Sequence, residues 1–222
     1  MPASGRTNAK ETNDPAQIRL LKPEDLPGLL PIRFEKLEVE IGCGNGHFMA
    51  EYCRKNPKCF FIGVEIKKKR CLKAQAKIER GGLTNARVIH GPAETILKVL
   101  PDESVDSFHL YFPDPWPKSR HRRRRFLRWQ NIETLRRKLK AGGLIFFATD
   151  YFDYYLHTKV LFLLHKGIQP TGSPLSDSVF RSVFAQRFAG RGKQVRSLAV
   201  RKNVPTEQKT APTERRPASS ER

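Results

Sequence analysis

The sequence predicts an α/β fold, a mostly parallel sheet with helices on both faces. Three observations carry this prediction. Short apolar runs suited to buried strands alternate with amphipathic stretches of helical period from residue 36 to residue 166. The first apolar run ends in a glycine-rich turn, Gly42-Cys43-Gly44-Asn45-Gly46, that opens a helix. Paired glycines at 81–82 and 142–143 punctuate two later helical stretches. Such alternation builds parallel sheets with right-handed crossovers, and ligands then sit at the carboxyl ends of the strands.

Taken in order, residues 36–41 form a short buried strand, and residues 47–55 a helix broken ahead of Pro57. Residues 59–66, a run of Phe, Ile and Val, form the second strand. Over 67–80 the apolar residues Cys71, Leu72, Ala74 and Ile78 recur at helical spacing, and Gly81-Gly82 supplies the stop. A third strand covers 86–90, followed by a short helix over 94–100 that Pro101 ends. The fourth strand, 105–112, stops at Pro113. A basic helix over 126–140 sets Trp129, Ile132, Leu135 and Leu139 on one face, with Arg128, Arg136 and Arg137 away from it. Gly142-Gly143 ends that helix and opens a fifth strand at 144–148. A helix over 151–166 and a last strand at 194–200 complete the pattern.

A chain of 222 residues has room for one such domain with tails to spare. Residues 1–16 are polar, and 202–222 are rich in Pro, Thr, Glu, Arg and Ser. Both are expected to be flexible tails around a domain spanning 17–201, because neither can bury much apolar surface. The balance of 42 Lys and Arg against 22 Asp and Glu gives a formal charge of +20. A surplus of that size draws polyanions, nucleic acid ahead of a membrane surface. The longest apolar runs, 144–148 and 160–164, are far too short to span a bilayer, and the polar N-terminus has no apolar stretch of a signal peptide. A cytoplasmic location is therefore expected, with no membrane partner. Cys43, Cys53, Cys59 and Cys71 contain no C-x-x-C pair, and His47 completes no zinc set, so reduced thiols and no metal are expected. The six histidines are scattered, and no nucleophile-and-base arrangement of Ser or Cys stands out.

Chemistry enters at Glu40-Ile41-Gly42-Cys43-Gly44-Asn45-Gly46. Alternate glycines let the backbone turn sharply and approach a ligand. Alone, they are equally those of a tight strand-to-helix turn. Glu65, at the end of the second strand, can accept hydrogen bonds from both hydroxyls of a ribose. Its plain alternative is a solvated acid paired with Lys67 or Lys68. Nicotinamide folds favour G-x-G-x-x-G, which cradles a pyrophosphate. Here the pattern is G-x-G-x-G with Glu40 two residues ahead, and a carboxylate there repels pyrophosphate but suits the amino group and sulfonium of S-adenosylmethionine. A methyltransferase fits better than a dehydrogenase.

The segment Tyr111-Phe112-Pro113-Asp114-Pro115-Trp116-Pro117-Lys118 is the most specific in the chain. Prolines on either side of Asp114 stiffen the backbone, and Trp116 offers a flat face for stacking, or else a plug for the core. Leaving the fourth strand, the segment falls beside the glycine-rich turn across the expected switch point. Glu-Ile-Gly-x-Gly-x-Gly, Gly63-Val64-Glu65, Phe112-Pro113-Asp114-Pro115-Trp116-x-Lys118 and Ala148-Thr149-Asp150 together resemble the bacterial tRNA (guanine-N7-)-methyltransferases, over about residues 37–200. The resemblance implies a Rossmann-like class I methyltransferase fold, S-adenosylmethionine as donor and a variable-loop guanosine of tRNA as acceptor. It implies that Glu40, Gly42, Gly44, Gly46 and Glu65 contact the cofactor, with Gly91 and Pro92 near its adenine. Asp114 becomes the active-site acid, also within reach of the cofactor, and Lys118, Asp150 and Ser182 contact the substrate. The chain departs from the family pattern at Gly91-Pro92-Ala93, where Gly-Asp-Ala is usual. It departs again at Ser182-Val183-Phe184-Ala185, where Ala185 replaces the carboxylate of Thr-x-x-Glu.

The run Lys118-Ser119-Arg120-His121-Arg122-Arg123-Arg124-Arg125 follows the acid directly. Its arginines, Arg120, Arg122, Arg123, Arg124 and Arg125, are placed to grip phosphates flanking a held base. By itself the run equally fits a localisation signal or a solvated helix start. Two other readings stay open: a non-catalytic RNA-binding protein on the same fold, and a nicotinamide oxidoreductase. A monomer is expected, with a homodimer as the alternative.

Overall fold

In Lys36–Ile41 (β1) the side chains alternate, as in any extended strand. Val39 and Ile41 enter one apolar core, whereas Glu38 and Glu40 are buried on the other side of the sheet. The computed structural model describes residues 20–29, 34–172 and 194–204, and within them the strand-helix alternation follows the sequence closely. His47–Lys55 (α1) leads to Cys59–Glu65 (β2), Lys68–Arg80 (α2), Ala86–His90 (β3), Ala93–Val99 (α3) and Val105–Tyr111 (β4). Then come Trp129–Lys138 (α4), Leu139–Thr149 (β5), Phe152–Leu164 (α5), Ile168–Pro170 (β6) and Arg196–Lys202 (β7).

Among the described residues one seven-stranded sheet runs in the order β3-β2-β1-β4-β5-β7-β6. Strands β1 to β5 are mutually parallel, and β7 lies antiparallel between β5 and β6. The order reverses between β1 and β4, which places a crevice above their carboxyl ends. One face buries Ile62, Phe108, Leu110 and Phe147 against α3, α4 and α5, through Ile96, Ile132, Leu135, Tyr154 and Phe162. The other packs Phe61, Val88 and Ala148 against α1 and α2, through Phe48, Met49, Cys71, Ala74 and Ile78. All four cysteines are free and buried on that side.

In α4 the structure departs from the sequence expectation at both ends, because the helix begins at Trp129 instead of residue 126 and stops at Lys138 instead of continuing to residue 140. Tertiary partners end it there. Glu103 and Ser104 donate their backbone N–H groups to the carbonyls of Arg137 and Lys138. Lys138 is itself buried, donating to the Leu100 carbonyl at 2.5 Å and pairing with Asp102 at 2.6 Å. Leu139 therefore begins β5, opposite Val105, and the glycine pair lies inside a strand. Gly142 adopts φ 75° where the register slips. A Cβ on Gly143 would come within 3.0 Å of the Asp106 and Lys140 carbonyls. Trp129 is 46% exposed and stacks on His165 at 4.9 Å, outside the core expected for it. Strand β6 and the 3₁₀ turn Pro23–Leu29 carry no periodicity that announces them, although Leu26 is fully buried.

Candidate active site

Two backbone carbonyls, those of Val64 and Cys43, and the Glu65 carboxylate organise the glycine-rich turn. Gly42, Gly44 and Gly46 adopt φ of 79°, 58° and 68°, the left-handed region that glycine enters without strain. The N–H groups of Gly42 and Cys43 both donate to the Val64 carbonyl, at 2.8 and 3.0 Å, and Gly46 N–H closes onto Cys43. At Gly46 the packing is as demanding as the conformation, because a Cβ would lie 2.8 Å from the Cβ of Ala74. Glu65 ends β2 beneath this turn and is buried. One of its oxygens accepts from Gly44 N–H at 3.1 Å and the other from Lys67 N–H at 2.8 Å. Each oxygen keeps a further lone pair for a ligand. The acid thus binds the turn to the end of β2, and the solvated pairing with Lys67 or Lys68 is not what the structure shows.

Glu40 is the more telling group. It is buried, and its Oε2 has no hydrogen-bond partner among the described residues. Burial, then the nearby Glu65 charge, pushes its carboxyl up to about 8. A carboxylate left unmatched in the interior is costly unless something else completes it. Glu40 thus keeps its proton until pH approaches 8, whereas Glu65 faces the Arg70 guanidinium at 3.9 Å, and the two form an acidic cradle under a turn rich in glycine, where a cationic group would take the place of the Glu40 proton.

Alongside lies a polar chain that sequence reasoning missed. His109 Nε2 meets Glu38 Oε2 at 2.6 Å, and its Nδ1 meets the Tyr111 hydroxyl at 2.9 Å. Tyr52 donates to the other oxygen of Glu38 at 3.2 Å. Burial pushes the Glu38 carboxyl up, but the His109 hydrogen bond and charge outweigh it and hold the group below its ordinary range. Among scattered histidines His109 had no local signal, since its partner lies 71 residues away.

The register Glu40↔His109 continues to place Tyr111 level with the glycine-rich turn, so the segment after it leaves the sheet beside that turn. Phe112 prolongs β4 by one bond, N–H to the Ala148 carbonyl at 2.8 Å, and packs against the α1 side. Asp114, exposed, sits between two bulky residues at positive φ, Phe112 at 52° and Trp116 at 45°. Such conformations cost on the order of 1–3 kcal/mol each and persist where neighbours enforce them. Trp116 is no core plug. Arg124 lies over its ring at 5.0 Å and His121 meets its edge at 5.9 Å.

The basic run forms a 3₁₀ helix, Ser119–Arg124, with Lys118, Arg120, Arg122, Arg123 and Arg124 all exposed. Arg125 corrects the sequence reading. It is 1% exposed and turned inward, so it is not placed to touch phosphate. Gly91 is buried and donates its N–H to the Glu65 carbonyl at 3.1 Å, while Pro92 caps α3 at the surface. Asp150 follows β5 at the same carboxyl edge, where Tyr151 N–H closes onto the Thr149 hydroxyl at 3.1 Å. Ser182 and Ala185 lie outside the described residues.

The family model described as "Putative methyltransferase" matches residues 35–173. The tRNA (guanine-N(7)-)-methyltransferase of Nitrosococcus oceani is 34% identical over 184 residues, covering 82% of this chain and 78% of that protein. This chain belongs to the tRNA (guanine-N7-)-methyltransferase family. The family's enzyme from Mycoplasma pneumoniae is also 34% identical, over 78% of this chain and 88% of its own length. That of Rhizobium johnstonii is 37% identical over 147 residues, 63% of its length. Among solved structures the 16S rRNA methyltransferase KamB superposes with a TM-score of 0.58 at 14% identity, covering 84% of this chain and 96% of that one. A 16S rRNA (adenine(1408)-N(1))-methyltransferase from Catenulisporales acidiphilia, solved with its cosubstrate SAM, gives 0.57 at 17% identity over 84% of this chain and 94% of that one. These likenesses establish the Rossmann-like methyltransferase fold for the family member described here.

Proposed function

We propose that this chain transfers the methyl group of S-adenosylmethionine to N7 of a guanosine in the variable loop of tRNA. The reading rests above all on the unpartnered, buried Glu40 Oε2, which sits on the strand that leads into the glycine-rich turn, across the switch point from the Asp114 loop. The residues fit the cofactor. Glu40 would take its cationic amino group, the backbone of Gly42, Gly44 and Gly46 would admit it closely, and Glu65 would accept from its ribose hydroxyls. Bound there, S-adenosylmethionine supplies a methyl group activated by positive sulfur.

The N7 lone pair of guanine lies in the ring plane and needs no prior deprotonation. What the protein contributes is therefore orientation, with no strong base required. Asp114 accepts hydrogen bonds from the guanine edge or from the cofactor's amino group and offsets the positive charge that develops on the ring. Lys118 and Asp150 border the same carboxyl edge and contact the substrate nucleotide. The exposed arginines of 120–124 grip its flanking phosphates, a sequence-independent hold. Binding is expected in the cytoplasm, to tRNA and without a metal ion. The non-catalytic reading has no use for an orphaned carboxylate under a glycine-rich turn.

The test is transfer of label from S-adenosylmethionine to an unmodified tRNA transcript, followed by mapping of the methyl group. Label at N7 of a variable-loop guanosine is the expected result, and Asp114→Ala should abolish it with the melting temperature unchanged. RNA binding without transfer would sink the enzymatic reading.

A further inference from the structure

We propose that Arg125 is the positioning residue of the Asp114 loop. The inference rests on the methyl-transfer reading and on Asp114 as the acid presented to the substrate. Pro113, Pro115 and Pro117 have no N–H to give, so the loop cannot be fastened through backbone donors at those positions. Its carbonyls must be held by donors from elsewhere. Arg125 supplies one, Nε to the Pro115 carbonyl at 2.8 Å, one residue past Asp114.

The guanidinium is itself gripped on two more sides. Nη2 donates to Asp153 Oδ2 at 2.5 Å, and the cation lies 4.8 Å over the ring of Tyr154. Tyr154 is fully buried, its hydroxyl accepting from Leu127 N–H at 3.1 Å. The Arg125 side chain has no exposed area, and its Nη1 has no hydrogen-bond partner among the described residues. Burying a guanidinium with one arm unmatched costs stability that an aliphatic side chain would not. That cost is understandable if the position of the Pro115 carbonyl, and so of Asp114, is what it secures. Asp153 gives its second oxygen to the half-exposed Arg122 at 2.9 Å, so the anchor of the loop and the surface that faces RNA share one carboxylate.

Arg125→Lys tests this directly, since a lysine keeps the charge but cannot serve a carbonyl and a carboxylate in one fork. Trp116 and Trp129 are the chain's two tryptophans, so a Trp129→Phe background leaves Trp116 as the sole reporter of the loop. In that background Arg125→Lys should lower kcat about 100-fold, as expected for a misplaced acid, with KM for tRNA and affinity for S-adenosylhomocysteine within about threefold. Quenching of Trp116 by acrylamide, a neutral probe the arginines do not attract, should rise. If the lysine variant fails to fold, Asp153→Asn loosens the same anchor from the surface and should show the same split, with kcat down about tenfold. Turnover within about twofold of the parent and unchanged quenching, in either folded variant, would overturn the proposal. A parent protein that transfers no methyl group sinks the functional reading instead, and the quenching arm still decides whether Arg125 holds the loop.

Discussion

Glu38 and His109 meet across neighbouring strands, carboxylate oxygen to ring nitrogen at 2.6 Å, with both side chains cut off from water. Phe48, Tyr52, Phe61 and Phe146 surround the imidazole, so removing it would leave Glu38 in an aromatic interior with Tyr52 as its remaining hydrogen-bond donor among the described residues. His109→Ala should therefore cost about 3–5 kcal/mol, the range for breaking one side of a buried pair. The chemical-denaturation midpoint measures this. Because Glu38 titrates below its unfolded value of about 4.5, the stability it contributes is present above that pH and drains away in acid as pH falls through the folded value. Wild type and variant should accordingly converge as the solution is acidified.

Glu40 behaves in the opposite sense. Its carboxyl is raised from 4.5 to about 8 in the folded, ligand-free protein, by burial first and the Glu65 charge second. The unfolded chain gives up this proton before the folded one does, so stability is lost as pH rises from about 4.5 toward 8. Glu40→Gln removes the liability. The variant should gain on wild type between pH 5 and pH 9, by about 5 kcal/mol at most given roughly 1.4 kcal/mol per unit. Urea denaturation at the two pH values checks the gain. The same variant should bind S-adenosylhomocysteine at least about tenfold more weakly, having lost a charge-assisted partner.

Gly46 combines a left-handed backbone with direct contact on α2. Gly46→Ala should destabilise by about 2–4 kcal/mol, summing the conformational penalty and the overpacking against Ala74. Thermal unfolding with and without S-adenosylhomocysteine would show whether the turn also loses its ligand, as expected. A variant as stable as wild type would mean that α2 can retreat from the turn.

The exposed and inward arginines of one run should separate cleanly by salt. Each phosphate contact contributes about 0.7–0.9 to the slope of log affinity against log salt. Arg120→Ala or Arg123→Ala should each reduce that slope for tRNA by about this amount. Arg125→Lys should leave it unchanged, since a buried side chain displaces no counterions. Filter binding across a salt series measures all three.

How far the sequence could be read follows from the distances over which its residues act. Glu40, the three glycines and Glu65 belong to strand ends and turns, where period and spacing mark position directly, and among the described residues the five α-helices and six of the seven strands, β1 to β5 and β7, follow from the same local patterns. Arg125 could not be singled out. Four consecutive arginines look alike until Pro115 and Asp153, the latter 28 residues on, draw one of them inward. The end of α4 was equally hidden, because the groups that stop it, Glu103 and Ser104, come from a loop some thirty-five residues earlier. Glu38 is indistinguishable from other strand residues in the sequence, because its partner His109 lies 71 residues away.

The two borders of the sheet have a bearing on how copies of this protein meet. At one, Leu21 forms a bridge to Ile89 and accepts the His90 N–H at 2.8 Å, so that β3 is partly sheathed by the chain's own leading segment. At the other, β6 is only three residues long and ends in Pro170. Among the described residues, neither border offers a long row of free amides and carbonyls on which a second sheet could grow. Short or covered borders of this kind disfavour edge-to-edge pairing between copies of the sheet.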